Sequence, residues 1–170
     1  MVVASEMLEG TRKVLDVMGM ECRSSIAKDI DGKEYPVLLM EYRDIPIALI
    51  DWHSSVVIRV EIKITDDLRQ QIRALDQYDF EDLIAAIDME LNLGRCSHDL
   101  SLDGDDLSLI TIEQKLLIYA DRPETVQRLL DGINEVTNTF RRVVLMLYSM
   151  LQIPEEEEIV ERSSPSGMYG

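Results

Sequence analysis

The chain has 170 residues, of which 46% are hydrophobic, and its formal net charge is −16. This length fits one domain that can build a hydrophobic core without disulfides or metal. A strongly acidic chain repels the phosphates of nucleic acids and of anionic membranes, so neither is expected as a partner. No apolar run approaches the roughly 20 residues that a bilayer span needs, and the N-terminal segment lacks the basic residues of a signal peptide. The sequence therefore predicts a cytoplasmic protein without a membrane anchor.

The acidic residues are concentrated in two segments. Residues 66–108 contain twelve Asp or Glu against three Lys or Arg, and the segment from Pro154 onwards contains five against one. Such a surface suits a partner polypeptide with a basic or apolar segment, but it also suits a protein that is acidic only to remain soluble. The sequence leaves both interpretations open.

The first part of the chain predicts one helix followed by four strands. Ser5 is placed to cap a helix whose apolar residues recur at helical spacing up to Gly19. The pattern then alternates with a period of two, and turn signals such as Asp31 with Gly32 divide it. The four predicted strands cover residues 22–29, 35–42, 45–52 and 56–64. Their short links predict an antiparallel meander.

The predicted strands differ in the number of their apolar faces. The fourth strand alternates apolar residues with Arg59, Glu61 and Lys63, which predicts that one of its faces is exposed to water. The second and third strands are apolar on both faces and need cover on both sides. Helices of the same chain or a second chain must supply that cover.

The second part of the chain predicts two helices, a hairpin and a long last helix. The two helices lie between Thr65 and Gly94, and residues 96–120 return to strand character around a turn at 103–106. Asp121 is placed to cap the last helix, which runs to about Gln152. The predicted fold is α+β, an antiparallel meander flanked by helices in the order α-ββββ-αα-ββ(β)-α.

The same pattern predicts the domain organisation. Residues 1–153 are expected to form a single α+β domain. Residues 154–170 are acidic, contain serine, proline and glycine, and show no periodicity. We therefore predict an acidic disordered tail.

Candidate catalytic and metal-binding residues are few. Asp51, His53 and Ser55 have the residue types of a catalytic triad, but same-face neighbours in a strand lie about 6.6 Å apart, too far for its hydrogen bonds. Cys96 and His98 offer two metal ligands, whereas a structural zinc site needs four. No nucleotide-binding or hydrolase motif occurs. We predict no catalytic residue, no cofactor and no metal, and the alternative is a small enzyme or ligand sensor with a pocket near His53 or His98.

One acidic turn resembles part of a calcium-binding loop. The segment from Asp99 to Asp105 has oxygen ligands at alternate positions and a glycine in the sixth position. Ile110 occupies the position at which such a loop needs a bidentate glutamate, and both flanks alternate like strands. We interpret the segment as a hairpin turn. The two cysteines, Cys22 and Cys96, form no C-x-x-C pair and are predicted to be reduced thiols.

The last helix predicts self-association. Its apolar residues alternate by three and four positions over four heptads, and past Arg142 the helix is apolar almost all round. At about 45 Å it is longer than a strand of eight residues, which spans about 27 Å. Its C-terminal half is therefore expected to project from its own sheet and to be covered by a second copy, giving a homodimer. The candidate dimer interface comprises Phe140, Val143, Val144, Leu147, Met150 and Leu151.

The order of these elements, in a small acidic protein without catalytic motifs, resembles the type III secretion chaperone-like fold group, which includes the YbjN-like proteins and uncharacterised archaeal proteins. The resemblance covers residues 5–152 and rests on element order and composition. It implies an antiparallel sheet flanked by helices, a dimer and the binding of other polypeptides. We therefore predict a noncatalytic protein-binding or chaperone-like module that acts as a homodimer.

Overall fold

The structure, a computed structural model, describes residues 6–28, 31–52, 55–104, 106–118, 122 and 124–153. Its helices are α1 (Glu6–Val17), α2 (Asp66–Arg73), α3 (Gln77–Asn92) and α4 (Glu124–Met150). Its strands are β1 (Cys22–Lys28), β2 (Glu34–Tyr42), β3 (Ile45–Trp52), β4 (Ser55–Lys63), β5 (Ser97–Asp103) and β6 (Asp106–Leu116). The predicted α+β fold and element order are confirmed. The proposed cap residues Ser5 and Asp121, and the predicted tail 154–170, lie outside the described residues.

The six strands form one antiparallel sheet in the order β1-β2-β3-β4-β6-β5. Arg43 and Asp44, between β2 and β3, have positive φ angles of 54° and 65°. This is the backbone of a two-residue turn whose twist matches that of the flanking strands. Gly104, between β5 and β6, has a φ of 60°, which glycine adopts without steric cost. The hairpin predicted at 103–106 is therefore confirmed.

One face of the sheet carries the main hydrophobic core. The buried apolar side chains of α1, α2, α3 and α4 belong to a single cluster with alternate residues of the strands, such as Leu49 and Ile58. Helix α4 packs on β4 and β6, and Gly132 allows the close approach. A Cβ atom at Gly132 would lie 2.6 Å from Ile58 Cδ1 and 2.8 Å from Leu116 Cδ1. We call this side of the sheet the helical face.

The opposite face of the sheet carries a second and smaller apolar cluster. All of its residues come from strands, whereas every buried apolar side chain of the described helices belongs to the main core. We call this side the helix-free face. Its cluster contains Ala27, Val37, Ala48, Ile50 and Val57, with Leu39 and Trp52 packed against it.

The helix-free face corrects one sequence-based prediction. Strand β4 was expected to turn Arg59 and Glu61 towards water, but each is only 5% exposed. Strand β4 lies between β3 and β6, so side chains of its own face flank both residues, and Arg59 contacts Glu61 and Glu113. Lys63, near the end of the strand, is half-buried.

The end of α4 is held by its backbone and by one buried side chain. Gln152 adopts a positive φ of 51°, and the Ile153 N–H donates to the Tyr148 carbonyl at 3.1 Å. This pairing is the Schellman pattern, which satisfies a carbonyl that the helix leaves without a partner. Ile153 is 8% exposed and belongs to the main core. The predicted end of the helix near Gln152 is confirmed.

Candidate binding surface

The C-terminal half of α4 is covered in part by its own chain. Helix α3 packs along α4, and its Leu83 and Ile87 belong to the same core as Val143 and Leu147. Val143 and Leu147 are 0% exposed in the single chain. In the single chain α3 therefore covers these two residues, and their place in a dimer interface stays a prediction. The sequence pattern could not distinguish a partner helix from a helix of the same chain.

The other four candidate interface residues lie closer to the surface. Phe140, Val144 and Leu151 are half-buried, and Met150 is 40% exposed. Leu145, between the two buried positions, is 66% exposed. For these residues the dimer interface stays a prediction.

A groove of about 430 Å³ lies where α2, α3 and the end of α4 meet. Its apolar wall contains Leu75, Leu83, Met150 and Leu151. Asp79 and Asp82, both exposed, supply carboxylates to its lining. We call this cavity the α3–α4 groove. It combines two of the predicted interface residues with the longer of the two acidic segments, residues 66–108.

A charge cluster fixes α2, one wall of the groove, to the start of β6. Arg69 Nε donates to Asp106 Oδ1 at 2.9 Å, and the guanidinium groups of Arg69 and Arg73 both bind Asp106 Oδ2. Hydrogen bonds from Arg69, and next from Arg73, hold the pKa of the Asp106 carboxyl well below its usual range. The turn that resembled a calcium loop therefore presents Asp106 to two arginines of α2.

This cluster predicts a pH-dependent contribution to stability. The folded-state pKa of Asp106 is depressed, so its contribution is complete above the unfolded value of about 3.9 and is lost as pH falls towards the folded value. Replacing Asp106 with Asn should destabilise the protein at neutral pH, and this difference from wild type should shrink steadily below that value. Urea unfolding at a series of pH values measures it. Asp103→Asn, an exposed change in the same hairpin, is the control, and an equal effect of both variants would contradict the prediction.

Two of the candidate residues for an enzymatic site, His98 and Cys96, lie within the described residues. His98 Nε2 lies 3.1 Å from Asp88 Oδ1, and the Cys96 Sγ lies 4.0 Å from Thr139 Oγ1. Burial raises the pKa of Cys96 to about 11, so this thiol is protonated near neutral pH and is a poor nucleophile. Neither His98 nor Cys96 lines the α3–α4 groove. His53 lies outside the described residues, so the pocket suggested near it is not defined here.

Two further findings concern metals and membranes. Within the described ranges, no group of three or more His, Cys, Asp or Glu side chains is arranged to hold a metal ion. In the same part of the chain, no helix combines the length and apolarity that a membrane span requires. Both cysteines are free thiols, as predicted.

Sequence reasoning missed a buried charge cluster on the helix-free face. Arg59 Nε donates to Glu113 Oε1 at 2.6 Å, and Arg59 Nη1 lies 3.9 Å from Glu61 Oε1. The side chains of Arg59 and Glu61 are 6% and 2% exposed. A strand that alternates charged and apolar residues looks the same whether its charged side faces water or lies inside a wide sheet, so the sequence carried no signal for this burial.

Comparison with known proteins shows the fold and no function. No family model matches the sequence, and no curated protein is similar to it in sequence. The crystal structure of an uncharacterised protein from Methanothermobacter thermautotrophicus is similar, with a TM-score of 0.68 and 19% identity over 85% of this chain and 99% of that one. YbjN from E. coli, a suggested transcription regulator, has a TM-score of 0.54 and 12% identity over 84% of this chain and 91% of its own.

These two neighbours agree with part of the predicted resemblance. An archaeal protein and YbjN both share the fold, so the chain has the architecture of the YbjN-like group. The wider resemblance to type III secretion chaperones stays a prediction. At these identities a shared fold carries no activity or partner from one protein to another.

Proposed function

We propose that this protein is a noncatalytic protein-binding module that takes a polypeptide segment with basic and apolar residues into the α3–α4 groove. The observation that carries the proposal is the groove itself, in which Leu75, Met150 and Leu151 lie beside the carboxylates of Asp79 and Asp82. A surface that presents apolar side chains beside carboxylates can bind a segment that carries both apolar and basic residues. The function is therefore recognition of a segment by shape, apolar contact and charge.

The groove presents polar as well as apolar side chains to a partner, with Gln71 and Gln152 among the polar ones. A volume of about 430 Å³ falls within the range of ligand pockets, about 300–1,000 Å³. Met150, 40% exposed, has a flexible thioether side chain that adapts to different apolar partners. Its position in the last turn of α4 allows it to move without disturbing the buried core.

Charge selects the chemistry of the partner. Residues 66–108, which include α2 and α3, have twelve acidic against three basic side chains, a net charge of −9. Lysine and arginine side chains of a partner would be attracted to this acidic segment. The overall charge of −16 also favours a polypeptide over nucleic acid if the protein has a regulatory role.

A peptide-binding experiment tests the proposal. The probe is a fluorescein-labelled synthetic peptide of alternating lysine and leucine, compared with one in which glutamate replaces lysine. We expect saturable binding of the basic peptide only, with an affinity that falls as salt is added. Asp79→Lys with Asp82→Lys should weaken binding at least tenfold, measured by fluorescence anisotropy. Glu9→Lys with Asp16→Lys is the matched control, because it makes the same charge change at exposed positions of α1.

The outcomes are distinct. Equal weakening by both double variants would show binding to the net charge alone and would count against a site in the groove. Met150→Asp adds a test of the apolar contact, and it should weaken binding even in high salt. Binding that is unaffected by Met150→Asp would contradict the proposed apolar wall.

The homodimer stays a prediction. Of the six candidates, Phe140, Val144, Met150 and Leu151 lie closer to the surface than Val143 and Leu147, and Met150 and Leu151 also line the groove. A dimer through these residues would compete with the peptide. Light scattering on the free protein and on its complex with the peptide distinguishes the two arrangements, and a monodisperse monomer in the free protein would refute the dimer.

A further inference from the structure

The outer side of α3 carries apolar side chains that are exposed to solvent. Tyr78 is 80% exposed, Met89 is 63% exposed, and Leu93, the residue that caps the C-terminus of the helix, is 69% exposed. Ala85, also exposed, lies between them. Ala85, Met89 and Leu93 follow Tyr78 at spacings that place all four side chains on one side of a helix. We call this side the outer α3 face. The buried side chains of α3 are those of Leu83, Ile87 and Leu91.

Exposed apolar side chains are concentrated on this face. Nine large apolar side chains are exposed in the part of the chain that the structure describes, and three of them belong to the outer α3 face. The other six are distributed over α1, β1, β5, α4 and the residue after β6. Apolar residues that are scattered singly are normal at a surface, whereas a group with polar residues around it marks an interaction site. The outer α3 face is therefore a candidate contact surface.

The shape of this face suits a helix. Side chains at positions i, i+3, i+4 and i+7 of one helix surround a hole that receives one side chain of a facing helix. On the outer α3 face these positions are held by Asp82, Ala85, Ala86 and Met89. Because two of the four are alanines, the hole has room for a large apolar side chain. From Tyr78 to Leu93 the face extends about 22 Å at 1.5 Å per residue, which is the length of about four helical turns.

Charge selects the chemistry of the partner. Helix α3 contains five acidic side chains and no basic one. Asp79, Glu81, Asp82 and Asp88 are exposed, whereas Glu90 is half-buried, with its Oε2 atom 3.5 Å from Arg142 Nε. Opposite charges across an interface favour binding and like charges oppose it. The carboxylates around the apolar side chains therefore favour a partner that carries lysine and arginine.

We propose that the outer α3 face binds a basic amphipathic helix of a partner polypeptide. The apolar side of that helix packs on Tyr78, Met89 and Leu93, and one large apolar side chain fills the hole at Ala85. Its lysine and arginine side chains lie beside the carboxylates of α3. The inference is independent of the function proposed for the α3–α4 groove, because none of these four residues lines that groove.

Two synthetic peptides test the proposal. Both contain leucine and lysine in equal numbers and carry a fluorescein label. In the helical peptide the leucines recur at spacings of three and four, whereas in the alternating peptide, the probe of the groove, every second residue is leucine. Only the first pattern gives an amphipathic helix. In fluorescence anisotropy we expect saturable binding of the helical peptide, with an affinity that falls as salt is added.

Variants of the outer α3 face locate the site. Met89→Gln with Leu93→Gln should weaken binding of the helical peptide at least tenfold, because it removes apolar contacts without a change of charge. The same variant should bind the alternating peptide like wild type. Tyr78→Gln, at the other end of the face, should weaken binding of the helical peptide severalfold and is an independent second variant.

The chain offers a matched control. Val17→Gln with Leu145→Gln makes the same kind of change on α1 and α4, at side chains that are 80% and 66% exposed. This control should bind the helical peptide like wild type. All of these substitutions are at exposed positions, so the variants should remain folded, which circular dichroism verifies.

Each outcome has one meaning. Equal binding of the helical peptide to wild type and to the Met89→Gln, Leu93→Gln variant would overturn the proposal. Weakening by Met150→Asp alone would place the helical peptide in the groove and would also overturn it. A dimer of the free protein that Met89→Gln with Leu93→Gln dissociates, seen by light scattering, would assign this face to a second copy instead. Loss of the alternating peptide alone would count against the function proposed for the groove and would leave the outer α3 face supported.

Discussion

Replacing Arg59 with methionine is expected to destabilise the protein by about 3–5 kcal/mol, the usual cost of removing one partner of a buried ion pair. Methionine keeps most of the side-chain volume, so the loss reports on charge rather than on a cavity. Arg59 lies between Glu61 and Glu113, and the Glu61 side chain is 2% exposed. Without the guanidinium, the buried Glu61 carboxylate and the Glu113 carboxylate, whose side chain is 26% exposed, both lose the positive charge beside them.

A control and a rescue make this prediction specific. Lys63→Met removes a positive charge from the same face of the same strand, but Lys63 is half-buried at the strand end, so its effect should stay within about 0.5 kcal/mol. Arg59→Met combined with Glu61→Leu and Glu113→Gln should regain most of the lost stability, because it removes the two negative charges beside position 59 as well. Urea unfolding of the four proteins measures the differences. Equal losses for Arg59→Met and Lys63→Met would show that the buried ion pair contributes nothing specific.

Replacing Leu147 with glutamate is expected to abolish cooperative folding at neutral pH. Leu147 is 0% exposed within the core that α3 and α4 share. Truncation to alanine alone costs about 2–5 kcal/mol at such a position, and an unpaired buried carboxylate costs several kcal/mol more. The sum of these two costs is comparable to the whole free energy of unfolding of a typical domain, about 5–15 kcal/mol.

The same helix supplies the matched control. Leu145, two residues away, is 66% exposed, so Leu145→Glu should retain the native circular dichroism spectrum and unfold nearly like wild type. Chemical denaturation of both variants tests the pair. A Leu147→Glu variant that is folded and monomeric is the result expected if Leu147 lay in a dimer interface. It would show that α3 does not bury this position.

Local sequence patterns determined the order and the ends of most elements in this protein. The period-two run of 45–52 became β3 at the same residues, and the turn at 103–106 joined β5 to β6. Helix α4 ends where its periodicity ends, near Gln152. These features depend on residues that are close in the chain. Turn residues, helix caps and the spacing of apolar residues along one side of an element can all be read from a single sequence.

Long-range packing decided what covers each apolar surface. The pattern of α4 required burial of Leu147 but did not indicate whether a second copy or α3 would bury it. The alternation in β4 was read as a wet face, yet the pairing of β4 with both β3 and β6 placed Arg59 and Glu61 inside the sheet. The α3–α4 groove likewise exists only because α2, α3 and the end of α4 converge. Such contacts join residues far apart in the chain, and local periodicity carries no information about which distant surface will meet them.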